Sequence, residues 1–133
     1  MDDAHVTRTA TVPAPIDDVW DAVADTRQLE AWLAPQVDLT VEPGATGRVV
    51  DDDGVVRDVV VDDVQPGRRL ALRSWPSDRP DAVSRVEIEL VPAVSHTVVT
   101  VTETRLVPVG RAIAGWTGRV LALAFVATAH VRV

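Results

Sequence analysis

Beyond a first short strand, the hydrophobic pattern of the chain changes period twice, and this restricts the folds that the chain can adopt. Apolar residues before Pro35 recur at helical spacing, those of the next segments alternate as in strands, and helical spacing returns from Gly110 onward. A first strand precedes the helices, so the predicted order is strand, two short helices, six strands and one long helix. The predicted strands cover residues 6–12, 37–41, 47–50, 55–64, 69–75, 83–91 and 97–106. We predict a single α+β domain over residues 1–133, whose antiparallel sheet buries the terminal helix against one face.

The two short helices are predicted from an apolar stripe and from a capping pattern. Pro15 suits a first helical turn, and the apolar residues of the segment 16–23 fall on one helical face. Asp25 and Thr26 form a break that supplies an N-cap, and Glu30 lies near the position that completes a capping box. The second helix is predicted over residues 28–33, with an apolar face made of Leu29, Trp32 and Leu33.

Charge and composition exclude several classes of protein. The formal net charge is -7, whereas nucleic-acid-binding domains are usually basic, so no nucleic-acid partner is expected. The chain has no cysteine, which excludes disulfides, thiolate nucleophiles and cysteine-ligated zinc. The longest apolar run, residues 120–127, is far shorter than the ~20 residues of a membrane span. Residues 1–5 are acidic and lack the apolar region of a signal peptide, so we expect a cytoplasmic protein with no membrane partner.

Four segments carry a family resemblance: "ATVPAPIDDVWDAVADTRQLEAWLAP", "EPGATGRVVDDDG", "VQPGRRLALRSW" and "VEIELVPAVSHTVVTVTE". Over residues 6–105 the sequence resembles the SRPBCC superfamily, also called START-like or Bet v 1-like, in its branch related to the C-terminal domain of the activator of Hsp90 ATPase. The resemblance implies a helix-grip fold, in which a curved seven-stranded antiparallel sheet surrounds a long C-terminal helix. Many members hold hydrophobic or amphipathic small molecules between sheet and helix, some are polyketide cyclases or other enzymes, and for others the function is unknown. The fold therefore does not fix the activity.

In a helix-grip fold, the side chains between the sheet and the terminal helix form the expected ligand cavity. All four tryptophans are candidates, since an indole combines a large apolar surface with an N–H donor, and core packing is the alternative for Trp20 and Trp32. Strand alternation places Val99, Val101 and Glu103 on one face. The predicted cavity residues are Trp20, Trp32, Arg73, Trp75, Val99, Val101, Glu103, Trp116, Val120, Leu123 and His130.

Glu103 is the one candidate for a catalytic group. A carboxylate on the inner face is costly unless it is paired or hydrated, and Arg73 is its predicted partner. Such a pair would anchor a ligand or act as a general acid or base, and the alternative is a solvated strand end near the cavity mouth. His130 either faces the cavity mouth or interacts with the helix dipole. The segment 51–54, "DDDG", lacks the later ligands of a calcium loop and is interpreted as a solvated hairpin turn.

Three functional hypotheses follow, in this order. The first is a module that binds a hydrophobic small molecule, with no metal and no cofactor, because the sequence has neither metal-ligand spacing nor a cofactor fingerprint. The second is an enzyme of the cyclase or dehydratase type that uses Glu103 with Arg73 or His130. The third is a protein-interaction module, a co-chaperone or the partner of a regulator. The terminal helix is apolar on nearly all sides, which predicts a homodimer formed through that helix.

Overall fold

The computed structural model of the chain describes residues 5–106 and residue 123. In chain order the elements of this part are β1 (His5–Val12), α1 (Ile16–Ala24), α2 (Thr26–Trp32), β2 (Gln36–Asp38), β3 (Thr46–Val50), β4 (Val56–Gln65), β5 (Arg69–Pro76), β6 (Ser84–Ala93) and β7 (His96–Arg105). The strands form one sheet in the order β1-β7-β6-β5-β4-β3-β2. Every neighbouring pair of strands is antiparallel.

The pairing of β1 with β7 determines the path of the two helices. β1 pairs with β7 along its whole length, from His5 opposite Thr104 to Val12 opposite Thr97. β2 lies at the other edge of the sheet, beside β3. The segment that joins β1 to β2 therefore crosses the sheet, with α1 packed against β6 and β7 and α2 against β2.

Local chemistry explains where the helices begin. α1 follows Pro15, whose backbone is extended, and two acidic residues occupy its first turn near the positive end of the helix dipole. Asp25 caps α2, because its side chain accepts hydrogen bonds from the backbone N–H groups of Arg27 and Gln28. The predicted N-cap at the break between the helices is therefore confirmed.

Two side chains of α2 tie the helix to the segment around β2. The Thr26 hydroxyl donates to the carbonyl oxygen of Leu39 at 2.7 Å, and the Glu30 carboxylate accepts from the N–H of Val37 at 3.0 Å. Glu30 therefore does not complete the suggested capping box. Its carboxylate instead holds the backbone of β2 against the helix.

The inner face of the sheet carries most of the core. Inward-facing residues alternate with half-buried or exposed ones in β6 and β7, and the buried apolar ones are Val86, Ile88, Leu90, Val99 and Val101. β4 has a bulge between Val61 and Asp63, and the extra residue, Asp62, points outward and pairs with Arg73. The bulge was not predicted, because it leaves no mark in the alternation of a valine- and aspartate-rich segment.

Sequence and structure agree on the seven strands, the two helices and their order. β2 is shorter than predicted, and α2 begins two residues earlier, at Thr26, because Asp25 supplies the cap. The long terminal helix predicted from residue 110 onward lies outside the described residues, except for Leu123. That leucine is helical and fully buried in the core.

Gly47 in β3 occupies a position where a side chain would collide with the neighbouring backbone. A Cβ atom built on it would lie 2.2 Å from the carbonyl oxygen of Asp38 in β2. We expect Gly47→Ala to lower the free energy of unfolding by about 1–3 kcal/mol, because β2 must move away from its present position. Urea denaturation measures the change, with the exposed neighbour Thr46→Ala as the control that stays within about 0.5 kcal/mol of the parent. A Gly47→Ala variant as stable as the control would contradict this account of the β2–β3 contact.

Candidate functional site

A narrow cavity lies between the inner face of the sheet and α2. Leu29 and Leu33 close it on the side of α2, and its volume is about 30 Å³. As it stands, the cavity holds one or two groups of the size of water. Its floor is apolar and comes from four adjacent strands, through Val49, Val59, Leu70, Leu72, Val86 and Ile88.

One end of this cavity is polar and consists of Asp51, Arg57 and Ser74, here called the polar cluster. Arg57 Nε donates to Asp51 Oδ2 at 3.0 Å, and the two side chains are only 9% and 12% exposed. Ser74 is 2% exposed, and its hydroxyl has no hydrogen-bond partner among the residues that the structure describes. Ser74 in β5 lies opposite Val59 in β4. Arg57 is the next inward-facing residue of β4, two positions before Val59.

The hairpin between β3 and β4 brings Asp51 and Arg57 together. Its turn closes where the N–H of Asp51 donates to the carbonyl oxygen of Val55 at 2.9 Å, and Gly54 in the turn has a positive φ of 85°. The predicted hairpin turn at residues 51–54 is confirmed. Its interpretation as wholly solvated is wrong for Asp51, because the carboxylate turns toward the buried guanidinium of Arg57.

The outer face of the same hairpin carries a second ion pair in a different environment. Arg48 Nε and Asp58 Oδ1 are 2.9 Å apart, but the Arg48 side chain is 67% exposed. Water screens this outer pair, whereas the surroundings of the Asp51–Arg57 pair are largely apolar. The two pairs therefore form a natural comparison within one hairpin.

Three of the predicted cavity tryptophans lie in the described part of the chain, and none of them lines this cavity. Trp32 is buried, and its indole N–H donates to the carbonyl oxygen of Ala22 at 2.8 Å, which joins α2 to α1. Trp20 is partly buried and packs against the core. Trp75 lies in a groove on the outer face, beside Arg48 and Asp58, because β5 turns residues 70, 72 and 74 inward and the intervening ones outward.

Glu103 faces the interior with Val99 and Val101, as strand alternation predicts, and is 1% exposed. It lies between Val6 of β1 and Val86 of β6, and it is not among the residues that line the cavity. Its carboxylate has an interaction partner within the protein.

The predicted pairing of Arg73 with Glu103 is wrong. Arg73 faces outward on β5, where its Nε donates to the carboxylate of Asp62 at 2.9 Å. The hydrogen bond that Arg73 donates to Asp62, and then the negative charge of Asp62, raise the pKa of the Arg73 guanidinium above its usual value. The pairing fails because Arg73 and Glu103 lie on opposite faces of the sheet.

Trp116, Val120 and His130 were also predicted to face the cavity, and they lie outside the described residues. Leu123, from the same predicted stripe, is described and belongs to the buried core. The structure thus brings Val99, Val101, Glu103 and Leu123 into the interior.

Sequence reasoning missed the polar cluster, although one signal for it was present. Arg57 shares the inward phase of β4 with Val59 and Val61, and Ser74 shares that of β5 with Leu70 and Leu72. A polar residue in phase with buried valines or leucines indicates an inward-facing polar group. No comparable signal existed for Asp51, since its direction depends on the shape of the hairpin.

The polar cluster presents hydrogen-bond donors at the end of an apolar space, an arrangement that orients a small apolar molecule. It contains no histidine, and its one carboxylate already bonds a guanidinium, so it lacks a pair of nucleophile and base. Among residues 5–106 and 123, no three histidine or carboxylate side chains lie close enough to hold a metal ion. No helix of the described chain is long and apolar enough to cross a membrane.

Comparison with known families identifies the chain. A model of the family "Activator of Hsp90 ATPase homolog 1-like protein" matches residues 13–122, so the chain belongs to this family. Membership confirms the resemblance to the corresponding branch of the SRPBCC superfamily. No curated protein matches the chain.

Solved structures share the fold over nearly the whole chain. DynU16, described as a putative protein in the dynemicin biosynthetic locus, is 30% identical with a TM-score of 0.78; the match covers 92% of this chain and 46% of DynU16. The chain therefore spans about half the length of that protein. Protein MLL2253 from Mesorhizobium loti is 21% identical with a TM-score of 0.84, covering 96% of this chain and 99% of that one. The Aha1 dimer from Colwellia psychrerythraea is 13% identical with a TM-score of 0.74, covering 90% and 92%.

The two ion pairs of the β3–β4 hairpin are expected to differ in their effect on stability. Arg57→Met removes a nearly buried guanidinium that compensates the charge of the partly buried Asp51, so we expect a loss of roughly 2–4 kcal/mol in the free energy of unfolding. Arg48→Met removes the exposed pair and is expected to cost less than about 1 kcal/mol.

Urea denaturation of both variants, and of Asp51→Asn combined with Arg57→Met, completes the test. The double variant is expected to recover part of the stability lost in Arg57→Met, because Asp51→Asn also removes the partly buried negative charge. Equal losses in Arg57→Met and Arg48→Met would show that Asp51 and Arg57 are effectively solvated.

Proposed function

We propose that this protein binds a small hydrophobic or amphipathic molecule in the cavity between the sheet and α2. The observation that carries the proposal is the cavity itself, an apolar space with a polar cluster confined to one end. A core that serves packing alone is stable without polar side chains. A buried serine hydroxyl without a partner, such as that of Ser74, lowers stability. A polar end in an apolar pocket is instead typical of small-molecule sites, where it fixes the orientation of the ligand.

Entry of a ligand requires movement of the side chains that close the cavity. The present volume accommodates one or two water-sized groups, so Leu29 and Leu33 must change rotamer to admit a ring or an alkyl chain. Both leucines belong to the short segment around α2, which has only seven helical residues. We propose that α2 and Leu33 act as the movable wall of the site.

An enzymatic role is the alternative, and the buried Glu103 carboxylate is what favours it. In that alternative, Glu103 acts as a general acid or base in a reaction of the cyclase or dehydratase type. Its position away from the lining of the cavity ranks this alternative second. Conversion of a bound compound by the parent protein, abolished in Glu103→Gln, would place the enzymatic role first.

A homodimer formed through the terminal helix remains part of the proposal. One structural neighbour with the same fold is described as a dimer, the Aha1 protein of Colwellia psychrerythraea. Native mass spectrometry reports both the subunit number and any molecule that the protein carries from the cell. An added mass that disappears on denaturation would support the binding function directly and give the composition of the ligand.

Filling the cavity is expected to abolish ligand binding. Val59 and Val60 are neighbours in β4, but Val59 lines the cavity and Val60 faces outward. We expect Val59→Phe to weaken the binding of toluene, an apolar probe, at least tenfold, because the phenyl ring occupies the ligand's space. Val60→Phe is the matched control and is expected to bind toluene as the parent does. Amide NMR titration measures both affinities.

Overpacking alone is expected to cost Val59→Phe about 1–3 kcal/mol, so thermal unfolding must first show that the variant is folded. Saturable binding of toluene by Val59→Phe, with the parent's affinity and the same shifted amides, would place the site elsewhere. Absence of saturable binding by the parent, together with no carried molecule in native mass spectrometry, would refute the proposed function.

A further inference from the structure

The polar cluster of Asp51, Arg57 and Ser74 defines which chemistry a ligand of this cavity carries. We propose that the ligand is an uncharged apolar molecule with a carbonyl oxygen at one end, and that this oxygen accepts hydrogen bonds from Arg57 and Ser74. The inference rests on the proposed function, that the cavity binds a small molecule, and adds the chemical class of that molecule.

Ser74 provides the first argument. Its hydroxyl is buried in the wall of the cavity and has no hydrogen-bond partner among the described residues. A buried hydroxyl without a partner is costly, and most buried polar side chains in folded proteins are bonded to something. Because this hydroxyl lines the cavity, a water or ligand atom in the cavity would satisfy it.

Arg57 provides the second argument. A guanidinium has five N–H donors, and the bond to Asp51 uses the one on Nε. The four N–H groups of the two terminal nitrogens make no hydrogen bond to a described residue. Because the Arg57 side chain is only 9% exposed and lines the cavity, these donors add to that of Ser74 at the same end.

The charge of the cluster decides between an anionic and a neutral ligand. The positive charge of Arg57 is already compensated by Asp51 at 3.0 Å. A carboxylate ligand would have to share the Arg57 guanidinium with the carboxylate of Asp51, and two negative charges close together in a nearly dry space repel each other. A carbonyl oxygen accepts two hydrogen bonds without adding charge, so a ketone, ester, amide or quinone fits the cluster better than an acid.

Competition with water gives the selectivity. In the absence of ligand, water satisfies the donors of Arg57 and Ser74. A ligand that displaces this water without replacing its hydrogen bonds loses affinity. A carbonyl compound regains those bonds, whereas a hydrocarbon of the same shape does not. The cluster therefore selects against purely apolar molecules of equal size.

Three small probes of nearly the same shape test the inference in the intact protein. Acetophenone has a carbonyl oxygen, α-methylstyrene has a CH₂ group in its place, and benzoate has a charged carboxylate. Amide NMR titrations measure the dissociation constant of each, with the signals of Val59, Leu72 and Ser74 as reporters of the cavity. We expect acetophenone to bind about three- to tenfold more tightly than α-methylstyrene, as one neutral hydrogen bond allows, and benzoate to bind most weakly.

Two serine variants locate the effect. Ser74→Ala removes the hydroxyl of the cluster and is expected to weaken acetophenone about threefold or more while leaving α-methylstyrene unchanged. Ser84→Ala is the matched control, because Ser84 is equally buried and lies opposite Ser74 on the next strand but is not among the residues lining the cavity. It is expected to bind all three probes as the parent does.

Arg57→Met alone removes a cation beside the partly buried Asp51 and risks unfolding, so Asp51→Asn combined with Arg57→Met tests the guanidinium. This pair of changes is expected to remove the remaining preference for acetophenone. Equal affinities of acetophenone and α-methylstyrene for the parent would overturn the inference while leaving the proposed function intact. Tighter binding of benzoate than of acetophenone would overturn the argument from charge. Binding of none of the three probes would overturn the inference, and together with the absence of toluene binding and of a carried molecule it would also refute the proposed function.

Discussion

The antiparallel pairing of the first strand with the last described strand is the constraint on which the rest of this structure depends. β1 lies beside β7, whereas β2 lies at the opposite edge, and the residues between them must span the sheet. Two short helices make this crossing, and α2 approaches the sheet near β2 rather than over its centre. The space between α2 and the floor of β3 to β6 is the cavity. Strand order therefore determines where this space lies, and the side chains that line it determine how large it is.

The side chains then give that space two different ends. Leucines of α2 and aliphatic residues of four strands make most of the wall apolar, while one hairpin contributes Arg57 and Asp51. Charged pairs of equal length on the two faces of this hairpin differ in their surroundings, since one is solvated and the other is nearly dry. Only the inner pair affects what the cavity can hold, because electrostatic interactions and unpaired donors weigh more where water is scarce.

Family membership and fold leave the ligand undetermined. The chain belongs to the activator of Hsp90 ATPase homolog 1-like family, yet structures with this fold differ widely in sequence, with identities of 30%, 21% and 13% in the examples given. A shared fold does not fix the chemistry of a site, so what this chain binds depends on the particular residues that line its cavity.

The sequence by itself determined the number, type and order of the elements, because hydrophobic period, prolines, turn glycines and the cap at Asp25 act through neighbours in the chain. It also placed Glu103 inside, since alternation within one strand is a local property. Only the tertiary structure decided that Arg73 faces Asp62, that Trp75 lies outside and that Asp51 turns inward to Arg57. Those outcomes depend on which face of each strand meets the core and on the shape of a hairpin. The first depends on contacts between segments distant in sequence, and the second on a turn geometry that the alternation of apolar and polar residues does not encode.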